Sequence, residues 1–496
     1  MNELFLFVRP PRPLWPFNGP GTAFWPPLAF ASMAAALRGG ITGLRVAILD
    51  APALKMGWKT LSSEIRRLKP SYVGIGEEAV SCVEGLRLAS IGKASGATVI
   101  AGGCFFGNVA QQILSTKLVD VVVHGEGEQT IVELVQTLRS GDKHTLRRVR
   151  GITFSDGDDA VFTGWREPLA DLDSLPFPAY DLLPIQNYGT GSRNHPDLVS
   201  IELSRGCTHQ CEFCVLWRQM SRYPATSPVA CLRTKSPERV FEEIRICTER
   251  YGRRYLGWVD PCFNADPKVP QRVSELLLSS GIKVGQSAWV RADYLRRDIE
   301  TGALDTCTRA GLNELYIGIE RSDSDDLSRL NKRLNHSDVA EALETIATRY
   351  PHVCTVGSFI YGVPGETRDS LRSLFRFGCG LPLDMALFIP LTPLPGTPFW
   401  KPELWDASGG LFRDLDFLPH GNADAWSRGD LHSMLLRCFV LYWPLARIRT
   451  VLRGLSVRDL RRRRIVRNYL KRSALFALRA FANQEHRMQI PDWYQS

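Results

Sequence analysis

Three cysteines crowd into one short segment, Ser204-Arg205-Gly206-Cys207-Thr208-His209-Gln210-Cys211-Glu212-Phe213-Cys214. The chain has 12 cysteines, and the remaining nine are scattered and read as small buried hydrophobes. In a reducing compartment such crowding points to a metal site rather than a disulfide framework. Cys207, Cys211 and Cys214 suit an iron–sulfur cube in which each thiolate takes one iron and the fourth iron stays open. A structural zinc site asks for four ligands, and no second close Cys or His pair follows. Two other readings remain: His209 as a fourth ligand, and inert thiols at chance spacing.

The elements that must position this segment are legible as two βα series. In the first, short apolar runs (Leu4–Val8, Arg45–Leu49, Tyr72–Ile75, Thr98–Ala101, Val119–Val123) alternate with helical patterns (Leu28–Leu37, Leu61–Leu68, Val83–Ala94, Ala110–Ser115, Gln129–Leu138). That rhythm predicts an α/β fold, a doubly wound parallel sheet with helices on both faces. Ligands of such sheets bind beyond the C-terminal strand ends. Here those ends carry Asp50-Ala51-Pro52, Gly76-Glu77-Glu78, Gly102-Gly103 and Gly125-Glu126-Gly127-Glu128. Glycine there allows close approach of a ligand, although tight turns alone also use it.

A connector with a hairpin signal at Ser155-Asp156-Gly157-Asp158 and the proline-rich Leu175-Pro176-Phe177-Pro178 follows. The second series begins at Leu198–Leu203 and continues through Tyr255–Val259, Lys283–Val290, Glu314–Ile319, Cys354–Tyr361 and Asp384–Ile389. Helical patterns at Pro237–Tyr251, Gln271–Ser279 and Ser337–Tyr350 lie between them. Six strands in alternation predict a partial TIM-type barrel, with the cysteine segment in the loop after its first strand. The expected domains are residues 1–145, a connector at 146–195, the barrel at 196–400 and a helical basic region at 401–496.

Hydrophobic content of 44% and charged content of 23% are those of a folded protein and exclude a disordered one. The formal charge of +9 suits anionic ligands without indicating nucleic acid. The apolar start stops at Arg9, far short of the roughly 20 residues of a membrane span. A cytoplasmic location is therefore the expectation. The basic stretch Arg437–Arg479, centred on Arg461-Arg462-Arg463-Arg464, reads as a solvated helix face, with peripheral contact to an acidic membrane as the sharper alternative. No RNA-binding motif accompanies it, so no nucleic-acid partner is expected.

With Phe213 before its last cysteine, the segment resembles the C-x-x-x-C-x-x-C signature of the radical S-adenosylmethionine superfamily. The resemblance implies a [4Fe-4S] cluster whose open iron chelates S-adenosylmethionine, and reductive cleavage to a 5′-deoxyadenosyl radical. It extends to Arg233-Thr234-Lys235-Ser236-Pro237-Glu238, Asp260-Pro261-Cys262-Phe263-Asn264, Tyr316-Ile317-Gly318-Ile319-Glu320-Arg321, Tyr361-Gly362-Val363-Pro364-Gly365-Glu366 and Pro393-Leu394-Pro395-Gly396-Thr397-Pro398. It implies that Asp260, Arg291 and Glu320 help to seat S-adenosylmethionine, Arg291 by pairing with the methionyl carboxylate. Taken singly, Arg291 and Glu320 are equally readable as ordinary ion-pair partners.

The first domain resembles the cobalamin-binding domain of the large cobalamin-dependent radical group, as do Trp25-Pro26-Pro27-Leu28-Ala29-Phe30-Ala31 and Pro168-Leu169-Ala170-Asp171-Leu172-Asp173-Ser174-Leu175. The corrin contacts so implied are Asp50, Ser81, Gly102, Gly103, Gly125, Glu126 and Gly127. Proline at position 52 stands where D-x-H-x-x-G domains place a cobalt-ligating histidine, so that loop offers no imidazole. Only Cys82 and Cys104 precede residue 207, too few for the extra cluster of methylthiotransferases. The expected activity is cobalamin-dependent radical methyl transfer to an unactivated carbon of a small molecule, lipid or tetrapyrrole. A flavodoxin or ferredoxin is the expected one-electron donor. The rivals are a cyclase resembling the anaerobic magnesium-protoporphyrin monomethyl ester cyclase, and a radical enzyme whose first domain is empty of corrin.

Overall fold

The structure is a computed structural model and describes residues 3–12, 25–76, 81–141, 143–190, 195–223, 227–401, 463, 466, 467 and 492–496. The basic stretch Arg437–Arg479 and the pair Glu77-Glu78 therefore fall almost wholly outside the described residues. Among the described residues no helix is long and apolar enough to cross a membrane.

The first series folds as expected. Strands β1 (Leu4–Arg9), β2 (Arg45–Asp50), β3 (Tyr72–Ile75), β4 (Thr98–Ala101) and β5 (Val121–Val123) are parallel, in the order β2-β1-β3-β4-β5. Around them lie α1 (Leu28–Gly40), α2 (Ala51–Leu54), α3 (Trp58–Leu68), α4 (Cys82–Ala94), α5 (Gly103–Phe106), α6 (Ala110–Ser115) and α7 (Glu128–Arg139). The order reverses between β1 and β3, the kind of place where doubly wound sheets open a crevice. An antiparallel hairpin, β6 (Ile152–Asp156) and β7 (Asp159–Phe162), extends the sheet past β5 and turns at Gly157, whose φ is +66°.

The connector is packed rather than loose. Tyr180 and Tyr188 are buried; Tyr180 donates to the Ser200 carbonyl at 3.0 Å and to Glu243 at 2.7 Å, and Tyr188 donates to Asp50 at 2.7 Å. One apolar cluster runs from Phe5, Phe30 and Leu134 of the first domain through Tyr180 to Val199, Ile201 and Trp258 of the second.

The second series contains β8 (Leu198–Ile201), β9 (Ser204–Gly206), α8 (Val215–Gln219), β10 (Leu232–Thr234), α9 (Pro237–Glu249), β11 (Tyr255–Trp258), α10 (Lys268–Ser280), β12 (Gly285–Arg291), α11 (Ala292–Glu300), α12 (Ala303–Arg309), β13 (Leu312–Glu320), α13 (Ser324–Arg329), α14 (His336–Arg349), β14 (Cys354–Tyr361), α15 (Arg368–Gly380) and β15 (Met385–Pro390). Six strands pair in parallel as β8-β11-β12-β13-β14-β15. No pairing of β15 with β8 closes the sheet among the described residues, so the barrel is partial. Side chains alternate along each strand: Ala288 and Val290, or Leu315, Ile317 and Ile319, join the apolar layer under the helices. Ser287, Trp289 and Arg291, with Glu314 and Tyr316, thus face the lumen.

Candidate active site

The cysteine segment is launched by a short ribbon. After β8 the chain turns into β9, which pairs antiparallel with β10. Asp260, at the end of β11, is buried and accepts hydrogen bonds from Leu203 N (3.2 Å), Ser204 N (2.5 Å) and Ser204 Oγ (2.6 Å). Burial pushes its carboxyl up to about 7 against these donors. Asp260 thus fixes the start of the loop. At Gly206, φ is +90° and an added Cβ would meet the Cys231 carbonyl oxygen at 1.8 Å, so only glycine serves where the chain enters the cysteines.

The thiols sit among cations. Arg291 places Nη1 3.6 Å from Cys211 Sγ, braced by Asp293 at 2.9 and 3.1 Å and by the Arg333 carbonyl at 3.2 Å. The Cys262 thiol donates toward Cys207, and with the His209 amide, Arg291 and Lys332 it brings the Cys207 thiol down to about 6. Burial raises Cys211 against the pull of Lys332 and Arg291, and pushes Cys214 up to about 11. No three His, Cys, Asp or Glu side chains converge tightly enough for a single ion among the described residues. Three thiols on one loop, flanked by cations that offset anionic charge, are the kind of donor set that a cluster ligated at separate irons calls for. The set fits the cube. The His209 ring is engaged by the Tyr294 hydroxyl at 2.8 Å and is held neutral by burial and Arg291, its pKa pushed down to about 4.

Glu320 holds Lys332 at 3.2 Å. Its φ of +71° is uncommon for a residue with a side chain and typically costs about 1–3 kcal/mol. The pair lies over Gly318, where a Cβ would meet Glu320 Oε1 at 2.6 Å. Arg291 and Glu320 are therefore brought to the cysteine loop, whereas Asp260 acts behind it.

On the first domain the strand ends of β3 to β5 form a bare floor. Gly103 (φ +86°) has only the Gly76 Cα within 3.9 Å of an added Cβ. A Cβ at Gly102 would come 3.3 Å from the Val123 carbonyl. Among the described residues these glycines leave the adjacent strand ends short of side chains, which fits a flat macrocycle lying there. The helix that follows Cys214 meets the floor: Gln219 donates to the Gly125 carbonyl at 3.0 Å. A shallow open cleft at this junction is lined by His124, Gly125, Glu126, Trp165, Gln219 and Tyr223.

The other implied corrin contacts fall elsewhere. Asp50 is fully buried, capping α2 through Ala53 N (3.3 Å) and bonding Tyr188 and Arg9. Ser81 is buried at the start of α4. A Cβ at Gly127 would come 2.6 Å from Met33 Sδ, so that position packs against the α1 side chain rather than facing the floor. Glu126 is drawn to the barrel, pairing with Arg233 at 2.6 Å and accepting from Leu169 N at 3.1 Å.

Sequence reasoning missed Lys332, Asp293 and Tyr294, which lie in no motif, and treated Cys262 as one of the scattered thiols. It also missed His124. That ring is buried, contacts Thr153 Oγ1 at 2.7 Å, and has its pKa lowered to about 4 by burial. Unfolded histidine titrates near 6.5. Stability from this group is therefore complete above pH 6.5 and is lost as pH falls toward 4, by about 3 kcal/mol in all. His124→Gln is expected to flatten the urea-midpoint profile across that window; an unchanged slope would refute the assignment.

Family models and relatives agree with this geometry. Residues 201–378 match the Radical SAM superfamily and residues 21–135 match the B12 binding domain. An uncharacterized methyltransferase of Pyrococcus horikoshii is 27% identical over 379 residues, covering 76% of this chain and 78% of the relative. The anaerobic magnesium-protoporphyrin IX monomethyl ester cyclase of Cereibacter sphaeroides is 27% identical over 394 residues, covering 77% of this chain but 61% of its own length. In fold, the chain is similar to the radical S-adenosylmethionine methyltransferase TsrM of Kitasatospora setae, solved with cobalamin and a [4Fe-4S] cluster; the TM-score is 0.64 at 18% identity, over 80% of this chain and 77% of that one. A B12-binding domain thus precedes a radical S-adenosylmethionine domain, and the chain is an enzyme that carries both, as the cobalamin-dependent radical S-adenosylmethionine enzymes it is similar to do.

Proposed function

We propose that the enzyme transfers a methyl group from S-adenosylmethionine to an unactivated carbon of a small molecule. The observation that carries this reading is the bridge between the two halves. Arg205, two residues before Cys207, reaches Glu128 at 2.7 and 3.2 Å, and so ties the β5 end of the glycine floor to the cysteine loop. Cys207, Cys211 and Cys214 would hold the cluster, and the floor at Gly102, Gly103 and Gly125 would hold the corrin. Bound there, these groups supply one-electron cleavage of S-adenosylmethionine and carriage of a methyl group.

The chain's own work is placement. Arg291, held by Asp293, offers a fixed guanidinium beside Cys211 where the carboxylate of S-adenosylmethionine would lie. Lys332 adds a second positive charge, oriented by Glu320. Asp260 keeps the loop from shifting, and the apolar layer shared by the two domains excludes water behind it. Similarity to the uncharacterized methyltransferase of Pyrococcus horikoshii supports methyl transfer over ring closure. A flavodoxin or ferredoxin would supply the electron.

The test is anaerobic turnover with methyl-labelled S-adenosylmethionine in the presence of hydroxocobalamin. Label in the product is expected. Formation of 5′-deoxyadenosine with an oxidised, unlabelled product would favour the cyclase type of reaction and end the methyl-transfer reading.

A further inference from the structure

The wall behind the cysteine loop carries one more thiol. Cys262 lies in the turn that follows β11, and its neighbours hold that turn in place. Asp260 accepts from Leu203 N and Ser204 N, Phe263 N donates to the Trp289 carbonyl at 2.9 Å, and Asn264 Oδ1 accepts from Arg291 N at 2.9 Å. Cys262 is 1% exposed, and its Sγ lies 3.5 Å from Asn264 Oδ1. The same thiol is in hydrogen-bond contact with Cys207, the first cysteine of the loop. It therefore comes to the loop from another strand end, as a donor from behind.

The charges beside the thiols give such a donor weight. Arg291 is paired with Asp293 at 2.9 Å and Lys332 with Glu320 at 3.2 Å, so these two cations each bring a counter-charge. A cube held by thiolates is anionic and becomes more so on reduction. With the two cations already matched, hydrogen bonds aimed at the sulfurs are what remain to stabilise the added electron. Arg291 supplies one, with Nη1 3.6 Å from Cys211 Sγ. Cys262 supplies another, to Cys207. A thiol is a weak donor in water, but a buried site of low dielectric strengthens its effect.

We infer that Cys262 raises the reduction potential of the cluster by donating to the Cys207 sulfur, a role that rests on the proposed placement of the cluster at Cys207, Cys211 and Cys214. Cys262 is then a positioning residue for the electron, with no part in ligation or in the methyl step. Without its hydrogen the cluster holds the added electron less readily and needs a more strongly reducing partner.

The test reads the cluster alone. The full chain is reconstituted anaerobically with iron and sulfide, without S-adenosylmethionine, and titrated against redox dyes. The reduced cluster is followed by electron paramagnetic resonance. Cys262→Ala is expected to keep its iron and to shift the midpoint to a more negative potential. The reduced-to-oxidised ratio at the wild-type midpoint should fall about threefold or more. Cys262→Ser, which restores an O–H donor, should lie closer to wild type than to the alanine variant. In the wild-type chain, exchange into deuterium oxide should remove a proton coupling from the reduced cluster, and Cys262→Ala should lack that coupling beforehand.

Equal midpoints in wild type and Cys262→Ala would overturn this role. So would a serine variant as low as alanine, which would assign the shift to packing, or loss of iron in Cys262→Ala, which would make Cys262 a ligand. A wild-type spectrum without any exchangeable coupling would overturn it without reference to a variant. A wild-type chain that assembles no cluster would remove the proposed function together with this role. An unlabelled product in the methyl-label experiment would end methyl transfer and leave these potentials as they are.

Discussion

Cys211→Ala is expected to abolish the broad visible absorbance of the reconstituted enzyme, to lower bound iron well below the about four atoms of a cube, and to reduce 5′-deoxyadenosine formation to the protein-free background. The expectation rests on placement. Cys211 is the buried thiol of the three and the one that Arg291 approaches, so its loss leaves the guanidinium facing an empty position. Two neighbouring variants give the result its meaning. Cys262→Ala and His209→Ala should each keep the cluster, since Cys262 donates to Cys207 and His209 is held by Tyr294. Loss of iron in His209→Ala equal to that in Cys211→Ala would restore the four-ligand reading of the loop and sink the three-thiol one.

Much of this architecture was readable from the residues. The two βα series appear almost at the expected boundaries, because buried parallel strands are short runs of β-branched residues that glycine and charge interrupt clearly. Tyr72–Ile75, Thr98–Ala101 and Cys354–Tyr361 match residue for residue. The cysteine loop was legible because its three thiols stand within eight residues of one another. Their electrostatic setting was not. Lys332 and Asp293 come to the thiols only through the parallel pairing of β12, β13 and β14, which brings together positions far apart in sequence. Glycine at strand ends pointed to Gly102, Gly103 and Gly125 alike, but it could not tell Gly103, where an added Cβ would meet only Gly76 backbone among the described residues, from Gly127, which packs on Met33. Asp50 shows a similar limit. An aspartate after a strand reads as a ligand-facing residue, yet here Tyr188, 138 positions away, claims it. Local pattern reports which groups stand at a strand end; packing decides which of them remain available.

The same logic makes Arg205 the most consequential side chain outside the thiols. Burial works against its charge, and Glu202 at 3.0 Å and Glu128 at 2.7 Å more than offset it; in return Arg205 keeps Glu128 ionised below the usual carboxylate range despite burial. Glu126 completes the set at 3.7 Å from Arg205 while also pairing with Arg233. Arg205→Met removes the shared cation and leaves buried carboxylates facing one another. Losing one partner of a buried pair costs about 3–5 kcal/mol. A fall in melting temperature of about 3–5 °C is expected for a chain of this size. A merely structural role would stop there. Because Glu126 and Glu128 border the β5 end of the floor, Arg205→Met should also lose hydroxocobalamin on gel filtration while retaining its iron, and Arg205→Lys should recover part of the corrin but not the bidentate geometry. Corrin retained at the wild-type level in a destabilised Arg205→Met enzyme would mean that the two halves are joined without being coupled. Loss of corrin with the cluster intact would show that one arginine, placed two residues before the first cluster cysteine, sets where the cobalamin floor lies relative to the radical site.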